Sequence, residues 1–249
     1  MYRTLSITLL TTFFLMTCKT GFANEDVTTM LNKADSYRLS ADEVRVDSEI
    51  RLFKHGKLDK ERQYSVFIKP GRRSLVLFRH AAEKGQRMLM LDDKFWMILP
   101  RSRRPIRITA NQKLLGEASS GDIATLTWGE DYQGEVLEET EIDNIAVYKL
   151  MLSAKRKGVS YKKIILYLER ERHVPVQAEL YLSSGKLAKL AHFEMGEVDG
   201  RRMVKRMILE DHLQKNRQTV IEYTTIRPQT IPDKAYNPYY LTKNALLDW

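Results

Sequence analysis

From Val44 to Ile226 the chain is written largely in a two-residue period, interrupted at short intervals by residues that make turns. Val44, Val46, Ile50 and Leu52 fall on one side of an extended strand, with Glu43, Arg45, Asp47, Glu49 and Arg51 on the other. His55-Gly56-Lys57 closes that run, Tyr64, Val66 and Ile68 resume it, and Pro70-Gly71 closes it again. Further strands are predicted at Ser74–His80, Arg87–Leu91, Phe95–Leu99 and Arg104–Thr109. A second series covers Gly134–Glu141, Ile145–Ala154, Ser160–Glu169, Val176–Ser183, Lys186–Met195, Arg202–Glu210 and Thr219–Ile226. The joints carry Asp92-Asp93, Asp143-Asn144, Lys157-Gly158, Ser184-Gly185 and Asp199-Gly200. Gly, Asn and Asp tolerate the positive φ that tight hairpins require. Short strands at this spacing predict an antiparallel meander, as a sandwich or as a strongly curled, barrel-like sheet. No long helices alternate with the strands, which disfavours a parallel α/β fold.

Three short segments follow a helical period instead. Val27, Met30, Leu31, Ala34 and Tyr37 form one stripe, with Glu25 and Asp26 near its positive end and a break at Ser40 and Asp42. Ser119, Ser120 and Asp122 precede Ile123, Ala124 and Leu126 as a capped short helix or turn. Asn237-Pro238 is a cap followed by proline at the first helical position, with Tyr239, Tyr240, Leu241 and Ala245 to Leu247 forming a terminal helix. No repeat, low-complexity segment or linker divides residues 24–249, which read as a single domain.

The first 23 residues read as a cleaved secretory signal: Arg3 at the start, no charge from Leu5 to Thr17, then Gly21-Phe22-Ala23 before the cut. The apolar run is short for a bilayer span and no charged stop follows it, so the processed chain is not expected to cross a membrane. Leu15-Met16-Thr17-Cys18 offers the alternative of a lipid anchor on Cys18, although Thr17 is a poor residue before such a cysteine. A free periplasmic protein is the preferred expectation. Cys18 is the only cysteine, so a disulfide within the processed chain, Cys-ligated zinc, an iron–sulfur cluster and a catalytic Cys are excluded. Losing Arg3 and Lys19 lowers the formal charge from +9 to +7. In the periplasm such a charge meets anionic headgroups and acidic protein surfaces, so no nucleic-acid partner is expected.

A search for catalytic chemistry finds little. There is no His-Glu-x-x-His, no Gly-x-Ser-x-Gly, no phosphate-binding glycine loop and no EF-hand pattern. Ser160–Lys163 and Ser183–Lys186 match Ser-x-x-Lys, a spacing that chance supplies readily. His55, His80, His173, His192 and His212 lack metal-ligand spacing, and His192-Phe193-Glu194 lacks the cysteines that would complete a zinc-deaminase site. No cofactor, no metal and no enzymatic role is expected.

Two features stand out. Met88-Leu89-Met90-Leu91 and Phe95-Trp96-Met97-Ile98-Leu99 are apolar on both faces, as a strand covered on both sides requires. The residues fit an ordinary core or a ligand cavity, and methionine suits an adaptable apolar surface. Directly after them Arg101, Arg103, Arg104 and Arg107 fall within Pro100–Arg107. Guanidinium groups suit phosphate and carboxylate, so this patch would hold a lipid headgroup, dock an acidic partner, or simply guard a sheet edge.

The run from Gly85 to Ile108, Gly-Gln-Arg-Met-Leu-Met-Leu-Asp-Asp-Lys-Phe-Trp-Met-Ile-Leu-Pro-Arg-Ser-Arg-Arg-Pro-Ile-Arg-Ile, resembles the outer-membrane lipoprotein-sorting proteins, a subgroup of the LolA/LolB-like superfamily. Leu115-Gly116-Glu117-Ala118-Ser119-Ser120-Gly121-Asp122-Ile123 fits the same subgroup, with Glu117-Ala118 where Gly-Ser is expected. The resemblance implies a highly curved antiparallel sheet, an unclosed β-barrel, with short helices plugging its concave face. It also implies a periplasmic carrier that shields the acyl chains of a lipoprotein or lipid, with a resistance–nodulation–division transporter of the inner membrane as donor or acceptor. A lipid-acting hydrolase on the same scaffold and an envelope docking protein that carries no lipid are the alternatives. The groove so implied would be lined by Met30, Leu31, Val46, Ile50, Met88, Met90, Phe95, Trp96, Met97 and Ile98. Arg101, Arg103, Arg104 and Arg107 would meet the headgroup or partner.

Overall fold

The computed structural model describes residues 26–115, 118–125, 127–212 and 216–244; the expected signal with Cys18, Leu126 and Ala245 to Leu247 lie outside them. A first series of strands comprises β1 (Val44–Lys54), β2 (Lys57–Lys69), β3 (Arg73–Phe78), β4 (Arg87–Leu91), β5 (Lys94–Ile98) and β6 (Ile106–Ile108). A small pair, β7 (Lys113–Leu115) and β8 (Ala118–Ser119), leads into helix α2 (Ser120–Ala124). The second series is β9 (Tyr132–Ile142), β10 (Ile145–Ala154), β11 (Lys163–Glu169), β12 (Pro175–Tyr181), β13 (Leu187–Val198), β14 (Arg201–Asp211) and β15 (Arg217–Pro228). Helix α1 (Val27–Ser36) precedes the strands, and α3 (Pro238–Lys243) follows them.

The two series make one 13-stranded antiparallel sheet in the order β6-β5-β4-β3-β2-β1-β15-β14-β13-β12-β11-β10-β9, with β7 and β8 apart. Val44 to Lys54 run antiparallel to Pro228 to Arg217, so the first and last long strands join the arms. The free edges are β6 and β9, and the sheet does not close into a barrel. Register shifts at Asp47/Ser48, Leu52/Phe53, Lys149/Leu150 and Glu194/Met195 bend the long strands, because an extra residue on one strand raises local twist.

The hairpins use the predicted residues. His55 and Gly56 have φ of 50° and 73°, Asp143 and Asn144 49° and 63°, Asp199 and Gly200 48° and 72°. Positive φ at both central positions matches the strand twist. Lys157-Gly158 behaves differently: β10 stops at Ala154 and β11 starts at Lys163, later than expected. Gly158 is needed for packing instead, since a Cβ there would lie 2.5 Å from the Asp93 Cα.

The concave face holds the main core. Val44, Val46 and Ile50 of β1 meet Tyr64, Val66, Val76, Phe78, Met88 and Met90 of one arm and Leu150, Leu152, Ile164, Leu166 and Leu168 of the other. Two of the three helices, α1 and α2, pack into this face. The third lies outside: Phe67, Leu75, Leu77, Leu89 and Ile98 turn the other way and are covered by Ile231, Ala235, Tyr236 and Leu241. Arg87 Nη1 donates to the carbonyls of Leu241 (3.1 Å) and Asn244 (2.8 Å), fastening the end of α3. The C-terminal cover explains why β4 and β5 are apolar on both faces. Among the described residues no helix is long and apolar enough to cross a membrane.

Candidate functional site: the concave face and its roof

The roof begins with α1. Asp26 caps it by accepting from the Thr28 N–H at 3.1 Å, and Met30, Leu31 and Ala34 face the sheet. One polar side chain enters the same face. The Asp35 carboxylate accepts from the backbone N–H groups of Trp128 (2.8 Å) and Gly129 (2.9 Å), tying the helix to the loop before β9. Beside it the Arg38 guanidinium lies 4.2 Å from the Trp128 ring centroid. Burial raises the Asp35 pKa to about 6, against the lowering effect of the Gly129 N–H and Arg38.

That shift sets a pH dependence. The neutral carboxyl is favoured in the fold, so its stabilisation is complete below the unfolded value of 3.8 and is lost as pH rises through about 6. From pH 4 to pH 7 the loss is about 2 kcal/mol. The unfolding temperature of the wild type is expected to fall relative to Asp35→Asn across this window. Parallel melting curves for the two proteins would refute the assignment.

The second roof element, α2, carries the sequence-predicted cap in full. Ser119 Oγ accepts from the Asp122 N–H, and the Asp122 carboxylate accepts from the Ser119 N–H (2.9 Å), a capping box. Lys189 Nζ of β13 donates to Asp122 Oδ2 at 2.7 Å, and the Tyr161 hydroxyl donates to Oδ1 at 2.8 Å. Burial alone would raise the Asp122 pKa, but Lys189 and the Ser119 donors hold it below the usual carboxylate value. Tyr161, fully enclosed beside that carboxylate, is pushed well above its ordinary value.

A third set of charges joins the arms across the open side. Arg72, at a positive φ of 55° after Gly71, buries its guanidinium against the Asp131 carboxylate. It also donates to the carbonyls of Asp92 (3.2 Å) and Gly158 (3.5 Å). Arg156 pairs with Asp92 at 2.9 Å, and Lys155 Nζ donates to the Gly129 carbonyl at 2.8 Å. The turns after β2 and β4 are thereby clasped to the chain around β9 and β10.

Under this roof the interior is nearly filled, with a cavity of about 60 Å³ beside Trp128, Tyr161 and Phe193. A larger cleft of about 430 Å³ opens between the end of α1, the β2–β3 turn and the chain after α2. Leu39, Ile68, Met90 and Ala124 supply its apolar wall, and Asp42, Lys69, Arg73 and Glu130 stand among its polar residues. Thr125 Oγ1 donates to the Met90 sulfur at 3.4 Å.

Of the predicted groove residues, Met30, Leu31, Val46, Ile50, Met88, Met90 and Phe95 are buried together in the concave core, and Met97 packs against it. Trp96 and Ile98 point to the other face, toward Ala235, Tyr236 and Leu241. Arg101, Arg103, Arg104 and Arg107 are exposed at the β6 edge. Ser160 and Lys163 do not meet: Ser160 Oγ donates to the Ala110 carbonyl, while Lys163 Nζ lies 4.0 Å from the Tyr181 ring centroid.

A family model described as an uncharacterized protein matches residues 71–243, more than half of the chain. The chain belongs to that family. Its fold is LolA-like. A LolA-superfamily protein from Nitrosomonas europaea superposes with a TM-score of 0.79 at 29% identity, covering 86% of this chain and 99% of that one. A DUF1329-family protein from Desulfovibrio piger gives 0.69 at 21% identity, over 86% and 97%. A domain from Vibrio parahaemolyticus, described as an outer membrane lipoprotein-sorting protein, gives 0.68 at 17% identity over the same shares. Comparison with curated proteins gives no match.

In this LolA-like chain the apolar lining was visible in the sequence, and the polar anchors of the roof mostly were not. Ser119-x-x-Asp122 is the exception, because a capping box is a local pattern. Asp35, Lys189, Arg72 and Asp131 have partners 93, 67 and 59 positions away, and no local signature marks them.

Proposed function

We propose that this protein is a periplasmic carrier that shields acyl chains of a lipoprotein or lipid between the curved sheet and its roof. The observation that carries this reading is the concave face itself: an apolar, methionine-bearing surface roofed by two short helices, each tied down by a few polar anchors, with a cleft beside Met90. Each methylene exposed to water costs about 0.8 kcal/mol, so a carrier must offer a dry surface. A chain would enter by displacing methionine side chains and lifting the roof, a gated step. The sorting role named for the Vibrio domain agrees with this reading, and a resistance–nodulation–division transporter is the proposed donor or acceptor.

Native and denaturing mass spectrometry on protein purified from a bacterial periplasm tests it. The native mass is expected to exceed the denatured mass by one lipid. A bare protein that also fails to bind a lipopeptide in vitro would sink the carrier reading. Met90→Asp is expected to abolish binding, and so is Ala41→Trp, which fills the cleft from an exposed position without touching the core. Trp96→Asp, on the opposite face, is expected to retain it.

A further inference from the structure

The positive charge is concentrated. Between Lys94 and Gly116 there are six basic residues and no acidic one, against an excess of nine in the whole chain. Arg101, Arg103, Arg104 and Arg107 occupy the β5–β6 connection and β6, and all four are exposed. Several arginines elsewhere pair with carboxylates, as Arg62 does with Glu83 at 3.0 Å and Arg206 with Glu194 at 3.2 Å. Among the described residues none of these four has an ion-pair partner. Arg107 instead lies 4.5 Å from the Trp96 ring centroid.

Apolar side chains share this edge. Leu99 is 36% exposed and Ile106 46%. The register sets Ile106 opposite Met97, and Met97 packs against the concave core. Paired residues share a face, so Ile106 stands on the concave side at the rim. The cationic connection therefore lies where the apolar interior reaches a free sheet edge.

We propose that Leu99–Arg107 is the surface by which this protein lands on an anionic bilayer leaflet. The arginines pair with lipid phosphates, while Leu99 and Ile106 enter the headgroup–acyl boundary. An acidic protein face would answer the charges but not the exposed aliphatic rim. Landing there would set the Met97–Ile106 lip against the lipid, a role that rests on the carrier reading.

The test is co-sedimentation with vesicles of phosphatidylcholine containing phosphatidylglycerol, and with phosphatidylcholine alone, at low and high salt. The wild type is expected to bind only the anionic vesicles, and less at high salt. Arg101→Ser, Arg103→Ser, Arg104→Ser and Arg107→Ser combined should weaken partitioning on the order of 500-fold, at about a factor of five per arginine. Lys57, Lys60, Lys186 and Arg217, exposed on other parts of the surface, replaced together by Ser remove the same charge elsewhere and should change it far less. Leu99→Ser with Ile106→Ser should weaken binding while preserving its salt dependence. Equal losses in the two charge variants, or no binding by a wild type whose fold is confirmed by circular dichroism, would overturn the proposal; capture of an acidic protein without vesicle binding would do the same. Native mass spectrometry on the same samples separates the two readings. A lipid-loaded protein that ignores vesicles refutes the landing surface alone, and a bare protein that binds them refutes the carrier alone.

Discussion

Lys189→Met is expected to lower the unfolding free energy by about 3–5 kcal/mol, because it strands a buried carboxylate. Asp122 and Lys189 are both almost fully enclosed and meet at 2.7 Å. Tyr161 and Ser119 would still donate to Asp122 after the substitution, but neither carries a positive charge. At about 2–4 °C per kcal/mol for a protein of this size, the melting temperature should fall by roughly 10 °C. The urea midpoint should shift with the slope unchanged. Adding Asp122→Asn should recover part of the loss, since the stranded charge is gone while a cap acceptor remains. A single variant within 1 kcal/mol of wild type would show that α2 is not held by this pair. The same substitution should expose α2 to hydrogen exchange before the sheet, because the pair with Lys189 is the ionic tie between this helix and β13.

Arg72→Met should have a comparable effect, about 3–5 kcal/mol, for a related reason. Asp131 is completely enclosed, and burial pushes its pKa up even with Arg72 beside it. Removing the guanidinium also frees the carbonyls of Asp92 and Gly158 and opens the clasp between the arms. Hydrogen exchange should therefore quicken in residues 127–132 and 155–159 while β1 and β15 stay protected. Arg156→Ser provides the contrast. Its pair with Asp92 is largely solvated and its approach to Asp131 is long, at 3.9 Å, so the cost should be below about 1 kcal/mol. Equal losses in the two variants would mean that the clasp does not depend on the buried pair.

Much of the fold was legible because strands, hairpins and caps are local. The alternation around Val44–Leu52 specifies a strand with one apolar face, and Asp143-Asn144 and Asp199-Gly200 sit where positive φ is needed. Asp26, Ser119 and Asn237 all cap the helices they precede. Gly158 was misleading because glycine answers two needs, a turn and a close approach, and here it lets Asp93 pack against its Cα. Trp96 and Ile98 fell in with the groove residues for a similar reason: a strand apolar on both faces does not say which face belongs to which core.

The sequence alone determined the period, the turns and the caps, and with them an antiparallel sheet bearing a few short helices. Tertiary structure decided where each face of that sheet went. The pairing of β1 with β15 curls the two arms around one interior, α1 and α2 roof it, and the segment from Ile231 to Leu241 covers the outside of β3 to β5. A period of two assigns residues to opposite faces, but the cover on each face comes from segments far away in the chain. The anchors that hold those segments are single ion pairs and hydrogen bonds between distant positions, so they exist only once the chain has folded.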